Sequence, residues 1–213
     1  MSKETTSEFR YEQRLAEDHW LAVREGSAHF GGEGSVFNAL RRITAKLEEL
    51  GISYSVVGGL ALNFHGFVRF TDDVDILVTK DGLAELQSKL TGRGYRPLFA
   101  GSKHLRDTEF GVRIEFLVTG DFPGDGKPKP IEFPDPAESS VEIDGIRILK
   151  LAKLIELKLA SGMSAVHRMR DLSDVIDLIK SLTLPHNLAL QLDSSVQDKY
   201  IELWTAAQTA REP

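Results

Sequence analysis

The sequence predicts a mixed α/β (α+β) domain with helical extensions at both ends. Alternating apolar residues mark strands at 52–57, 73–78 and 112–118. Apolar stripes at helical spacing lie before, between and after them, at 35–50, 81–90 and from 151 onward. Glycines at 51, 58, 59, 66, 92 and 94 stand where one period gives way to the other. A chain of 213 residues and 23.7 kDa suits one domain, or one domain plus a helical extension, with a sizeable core. With 41% hydrophobic and 27% charged residues, the composition is that of a folded globular chain and excludes a disordered one.

In chain order, residues 3–24 carry mixed charge, with Phe9, Leu15, Trp20 and Leu21 at loosely helical spacing. EGSAHFGGEG then reads as a Gly-rich hinge. Ser35 is placed to cap a helix through Leu50, with Phe37, Leu40, Ile43 and Leu47 on one stripe and Gly51 as its stop. A strand over 52–57 runs into Gly58-Gly59, and 60–65 suit a short helix closed by Gly66. A helix over 81–90, a strand over 95–99 and a strand over 109–119 follow. The Pro- and Gly-rich segment 121–136 separates this sheet from a helical tail, which opens after a strand-like stretch at 141–149. The expected organisation is an N-terminal arm and hinge (1–34), a core (35–149) and a C-terminal helical region (150–213).

Chemistry concentrates in VVGGLALNFHGFVRFTDDVDILV, residues 56–78. Successive side chains of a strand point to opposite faces, so Val74, Ile76 and Val78 face a core while Asp73 and Asp75 project together from the other side. Two carboxylates about 4 Å apart repel by about 4 kcal/mol even at an effective dielectric near 20. Such a pair shares a proton or holds a cation, and a hard divalent ion such as Mg²⁺ (or Mn²⁺) resolves the repulsion. The other reading is a solvated acidic strand end. Glycines between a strand and a helix let the backbone bend tightly and let a phosphate approach the helix start. Thirteen residues separate this Gly pair from Asp-Val-Asp-Ile, which turns a weak turn signal into a specific one.

This segment resembles the signature of the DNA polymerase beta-like nucleotidyltransferase superfamily, in which a Gly-Gly or Gly-Ser turn precedes an acidic pair at the start of a strand. The third acid of that family matches Glu115, in a run where Val112, Ile114, Phe116 and Val118 share one face and Arg113, Glu115 and Leu117 the other. The resemblance implies a mixed sheet flanked by helices, with Asp73, Asp75 and Glu115 as metal ligands and catalytic residues. Glu115 would also take the proton of the attacking hydroxyl. It further implies nucleotide binding by Gly58, Gly59, Arg69, Thr71, Lys158 and Asp171. Where many relatives have Ser, this chain has Gly59, so a hydroxyl contact to the terminal phosphate is lost. Arg69 reads equally as a phosphate contact or as a salt bridge orienting Asp73 or Asp75. Asp72 reads as a turn residue.

In the tail, Leu151, Leu154 and Ile155 set a stripe whose next member is Lys158. Either Lys158 snorkels to solvent, or it reaches across the cleft to a triphosphate, as the resemblance of LKLASG…RDLSDV to bacterial relatives implies. The next helix is expected to start at Asp171, with Leu172, Val175, Ile176 and Ile179 as its apolar face. Asp171 is then a helix cap or a partner of Lys158, and Asp174 is a similar case. His167, Arg168 and Arg170 lie in the connecting loop, where a substrate could meet them.

The formal net charge of −6 and pI near 5.6 do not favour a large polyanionic partner, although basic residues cluster at 93–106, 127–129 and 167–170. Zero cysteines exclude disulfides and thiolate metal sites and fit a reducing cytoplasm. No apolar run approaches the ~20 residues that span a bilayer, and the N-terminus lacks the apolar core of a secretory signal. The resemblance covers most of residues 35–180. It is greatest to small bacterial nucleotidyltransferases that include abortive-infection and toxin–antitoxin toxins. The expected partners are therefore a nucleoside triphosphate, an acceptor such as an RNA end, a protein or a small molecule, and a cognate antitoxin, with no membrane. Two rivals stand beside this reading: an Asp-x-Asp glycosyltransferase and a non-catalytic nucleotide-binding or antitoxin-like module.

Overall fold

The computed structural model describes residues 10–209, so Phe9 lies outside the described residues. The chain opens with α1 (Tyr11–Glu17) and α2 (His19–Phe30), separated by Asp18, whose side chain accepts from Leu21 N at 2.9 Å and caps α2. Helix α2 continues through 25–30, where the sequence suggested a hinge. A single Gly26 costs a helix only about 1 kcal/mol. Contacts on either side of Gly26 hold that turn helical: Glu25 accepts from Tyr11 Oη and Ser35 N, and His29 is buried. The break falls at Gly31–Gly34. Gly34, at φ +89°, takes the cap position of α3 (Ser35–Glu49), and Ser35 spends its hydroxyl on Glu25 instead of on its own helix.

Strand β1 (Tyr54–Val56) leads into α4 (Gly58–Phe64), so the Gly pair forms the first turn of the helix rather than preceding it. Then come β2 (Asp73–Val78), α5 (Lys80–Leu90), β3 (Tyr95–Pro97), β4 (Leu105–Asp107) and β5 (Arg113–Val118). The strand expected over 109–119 starts later because Asp107 accepts from the backbone N–H of Glu109 and Phe110, a side-chain-closed turn that separates β4 from β5. After α6 (Pro136–Ser139), the stretch expected as one strand is a hairpin of β6 (Ser140–Ile143) and β7 (Ile146–Leu149). Asp144 and Gly145 both have positive φ, the Asp-Gly chemistry of a two-residue hairpin turn. The tail is α7 (Leu151–Ser164), α8 (Met169–Ser181) and α9 (Ser194–Thr209).

Seven strands form one mixed sheet in the order β3-β4-β5-β2-β1-β7-β6. Its centre is the parallel pair β2 and β5, in the register Asp73↔Arg113, Val74↔Ile114, Asp75↔Glu115, Ile76↔Phe116. Val74, Ile76, Ile114 and Phe116 are fully buried, and Leu40, Ile43 and Leu47 of α3 belong to the same core. The arm is pinned to the sheet by a bidentate ion pair, Arg106 Nη1 and Nη2 to the Glu12 carboxylate at 2.8 and 2.7 Å. The 121–136 segment is also tied down: Phe133 N donates to Asp121 O, Gly120 N donates to Phe133 O, and Ile131 and Phe133 are buried.

Helices α7 and α8 approach closely because position 162 has no side chain. A Cβ on Gly162 would lie 2.6 Å from Leu172 Cγ. Gly162→Ala should therefore cost about 1–3 kcal/mol through overpacking. Gly26→Ala, in open space within α2, should add about 0.5–1 kcal/mol. Urea denaturation of the two variants checks the opposite signs.

Candidate active site

Because β2 and β5 run parallel and in register, Asp75 and Glu115 are direct neighbours on one face of the sheet, with Asp73 two residues along the same face. One carboxylate oxygen from each of the three lies within 4.8 Å of the other two. Asp73 is fixed at both oxygens: Thr71 Oγ1 donates to Oδ1 at 2.8 Å and Arg113 Nη2 donates to Oδ2 at 2.8 Å. Arg113 also places Nε 3.0 Å from Glu115 Oε1, so a single guanidinium serves two of the three acids. Asp75 has its pKa pushed up to about 8, first by desolvation and then by the charges of Asp73 and Glu115. Asp72, placed in the sequence as a turn residue, faces the same cavity, and burial followed by the charge of Asp73 raises its pKa.

The glycine pair is pressed against these acids. Gly58 has φ +62°, and a Cβ there would lie 1.8 Å from Asp75 Oδ2, so no other residue admits this carboxylate. A Cβ on Gly59 would lie 2.9 Å from Thr71 Cβ and 3.0 Å from Thr71 Oγ1. The Thr71 hydroxyl lies beside Gly59 and is spent on Asp73.

A second network stands across the cavity. Lys158 Nζ donates to Asp174 Oδ2 at 2.6 Å and to Asp171 Oδ1 at 3.1 Å, and Ser161 Oγ donates to Asp171 Oδ2 at 2.6 Å. Arg69 donates from Nη2 to Asp174 Oδ2 at 3.0 Å and places Nε 2.8 Å from Asp174 Oδ1. Three expectations are corrected. Lys158 does not snorkel: it is 6% exposed, because two aspartates of α8 supply its partners inside the protein. Arg69 orients neither Asp73 nor Asp75; its ion pair is with Asp174. Asp171 is no cap, since α8 begins at Met169 and the Asp171 side chain points back to α7.

All of Asp73, Asp75, Glu115, Gly58, Gly59, Arg69, Thr71, Lys158 and Asp171 line one open cavity of about 340 Å³. His167, Arg168 and Arg170 line it too. The other basic stretches do not converge on it: Arg106 is buried against Glu12, His104 Nδ1 accepts from Phe116 N, and Lys129 pairs with Asp125. Sequence reasoning missed Arg113 and Ser161. The signal for Arg113 was its place on the same strand face as Glu115. Ser161 gave none, because its partner lies on another helix.

The donor set fits a divalent cation. Three carboxylates cluster within 4.8 Å of one another, Arg113 pairs with only two of them, and burial together with the charges of Asp73 and Glu115 disfavours ionised Asp75 unless a cation is bound.

No protein-family model and no curated protein sequence matches the chain. Solved structures similar to it include ANT(2'')-Ia in complex with adenylyl-2''-tobramycin, at 14% identity and TM-score 0.46, covering 82% of this chain and 98% of that one. JHP933 from Helicobacter pylori shares 18% identity at TM-score 0.43, covering 80% and 88% of the two chains. An antigenic nucleotidyltransferase-like protein from Paracoccidioides brasiliensis shares 18% at TM-score 0.42, covering 80% and 91%.

Two outcomes follow from the electrostatics. The folded chain keeps a proton on Asp75 up to about pH 8, whereas the unfolded chain releases it near the ordinary carboxylate value. Between those values the native state binds more protons than the unfolded state, so this group's contribution to stability falls as pH rises through the window. Melting temperature should drop from pH 6 to pH 9, Asp75→Asn should flatten that slope, and millimolar MgCl₂ should restore stability at the alkaline end. Lys158→Met, by leaving one negative charge of the buried network uncompensated, should cost about 3–5 kcal/mol. The double variant Lys158→Met/Asp171→Asn should recover part of that loss in urea denaturation; a Lys158→Met variant as stable as the parent would contradict the buried network.

Proposed function

We propose that the chain is a metal-dependent nucleotidyltransferase, moving a nucleoside monophosphate from a nucleoside triphosphate to an acceptor hydroxyl. One observation carries this: the β2–β5 register gathers Asp73, Asp75 and Glu115 on one face, with Gly58 shaped to admit Asp75. Held by these three acids, Mg²⁺ or Mn²⁺ would stabilise charge on the entering and leaving oxygens of an in-line displacement.

In that reaction the acceptor hydroxyl oxygen forms a bond to the α-phosphorus, and the bond from that phosphorus to the bridging oxygen breaks. Pyrophosphate departs with the bridging oxygen, and the hydroxyl proton passes to Glu115. Arg113 holds Asp73 and Glu115 in place, and Thr71 fixes the remaining oxygen of Asp73. The backbone at Gly58 and Gly59 gives phosphate room to approach. The chemistry is therefore mainly positioning and charge stabilisation. An Asp-x-Asp glycosyltransferase does not call for the glycine turn packed under Asp75 or for Glu115, and the presence of all three acids argues against a non-catalytic module. The acceptor classes remain those named above, an RNA end, a protein or a small molecule, and a role as the toxin of a toxin–antitoxin pair rests on the sequence resemblance.

Incubation with α-phosphate-labelled nucleoside triphosphates, MgCl₂ and total RNA tests the reading. Label should move to an acceptor only when the divalent cation is present. Asp73→Asn and Asp75→Asn should each lower the rate about a hundredfold or more while circular dichroism shows an intact fold. An unchanged rate in either folded variant would sink the assignment.

A further inference from the structure

Arg69 and Lys158 are the cations that sequence reasoning offered to the triphosphate, and both are already committed. Arg69 sets Nε and Nη2 against Asp174 and donates from Nη1 to Phe70 O, so all three of its nitrogens are engaged. Lys158 gives two of its three donors to Asp174 and Asp171. Turning either toward a ligand would take away one of the two cations paired with Asp174, which is 2% exposed, and losing a partner of a buried carboxylate is unfavourable. Two further cations of the cavity carry no such commitment.

Arg168 and Arg170 line the same cavity, and neither is paired with a carboxylate among the described residues. They stand at the junction of α7 and α8, one at the end of the short 3-10 turn Val166–Arg168 and the other in the first turn of α8, with His167 beside them. Their backbone is well anchored. The Ser161–Asp171 hydrogen bond and the close approach of Gly162 to Leu172 fix the start of α8 against α7. The cavity is therefore bipolar, with Asp72, Asp73, Asp75 and Glu115 on one side and unpaired guanidinium groups on the other. A ligand that satisfies both sides is anionic along its length and carries a divalent cation. About 340 Å³ falls in the range of small-molecule sites, about 300–1,000 Å³, and so is large enough for a nucleotide.

Resting on the nucleotidyl-transfer reading, we propose that Arg168 and Arg170 hold the β- and γ-phosphates of the incoming triphosphate, while Lys158 and Arg69 hold Asp174. The planar fork of arginine matches phosphate oxygens in pairs, which a lysine ammonium cannot do.

Calorimetric titration of inorganic tripolyphosphate, a nucleoside triphosphate and the corresponding monophosphate in MgCl₂ provides the test, on the full chain and on R168A/R170A. Tripolyphosphate and triphosphate should bind the double variant about a hundredfold more weakly, about tenfold for each arginine, while monophosphate affinity and Mg²⁺-induced thermal stabilisation stay unchanged. R168K/R170K should regain only part of the loss. Equal tripolyphosphate affinity in the two chains would overturn the assignment while leaving nucleotidyl transfer standing. Unchanged triphosphate affinity with a raised KM for an RNA acceptor would overturn it in favour of acceptor docking. Failure of the unsubstituted chain to bind any triphosphate would overturn both readings together.

Discussion

The site depends on the register of β2 against β5. Side chains alternate along a strand, so a slip of one residue would turn Glu115 away from Asp75 and bury a carboxylate among Ile76 and Phe116. The apolar half of the same alternation prevents that slip. Val74, Ile76, Ile114 and Phe116 are fully buried, and each buried aliphatic or aromatic side chain contributes about 1.5–3 kcal/mol. Crowding carboxylates on the opposite face costs about 4 kcal/mol per close pair at an effective dielectric near 20. The core term is of the same order as the repulsion, and Arg113 lowers the repulsion by pairing with Asp73 and Glu115. The fold thus holds an unfavourable charge cluster in place, which is what a cation-binding site requires.

The second network does a different job. Asp174 joins Arg69, from the loop between α4 and β2, to Lys158 of α7, so three separate parts of the chain meet at one buried carboxylate. Buried ion pairs add little net stability compared with apolar packing, but removing one partner is expensive, and that asymmetry fixes geometry. Here it sets the position of the helical wall relative to the acids on the sheet. The N-terminal arm reinforces the same loop, because His29 of α2 contacts Arg69 O and Asn63 Nδ2 through Nε2.

How much of this was legible in the sequence follows the range of the interactions. Asp73, Asp75 and Glu115 could be read because strand periodicity is a local property, and Gly58 because a strand-to-helix turn leaves a local mark. The meeting of Arg69 with Asp174 could not, since 105 residues separate them and no local pattern specifies the pairing. The same holds for Glu12 with Arg106, which turned an apparent surface basic cluster into a buried anchor. Ser35 misled for a related reason: a residue type that favours a helix cap was captured by Glu25 of a neighbouring helix. Strand β4 escaped notice because Lys103, His104 and Arg106 look like loop residues until their partners are known.

Charge balance explains why the cavity has two unlike walls. Of the four carboxylates on the sheet side, Arg113 pairs with Asp73 and Glu115, and burial together with the charges of those two acids makes Asp75 retain its proton. On the helical side, the network of Lys158, Arg69, Asp171 and Asp174 is internally neutral, two cations against two anions, although the charge of Lys158 still reaches Asp75 and opposes the rise of its pKa. Arg168 and Arg170 add two positive charges to the cavity lining, with no described carboxylate paired to them. A simple anion would be repelled by the sheet, and a simple cation would leave the arginines unsatisfied. A cation-bearing polyphosphate meets both demands at once, and it can do so without disturbing the buried ion pairs that hold the two walls apart.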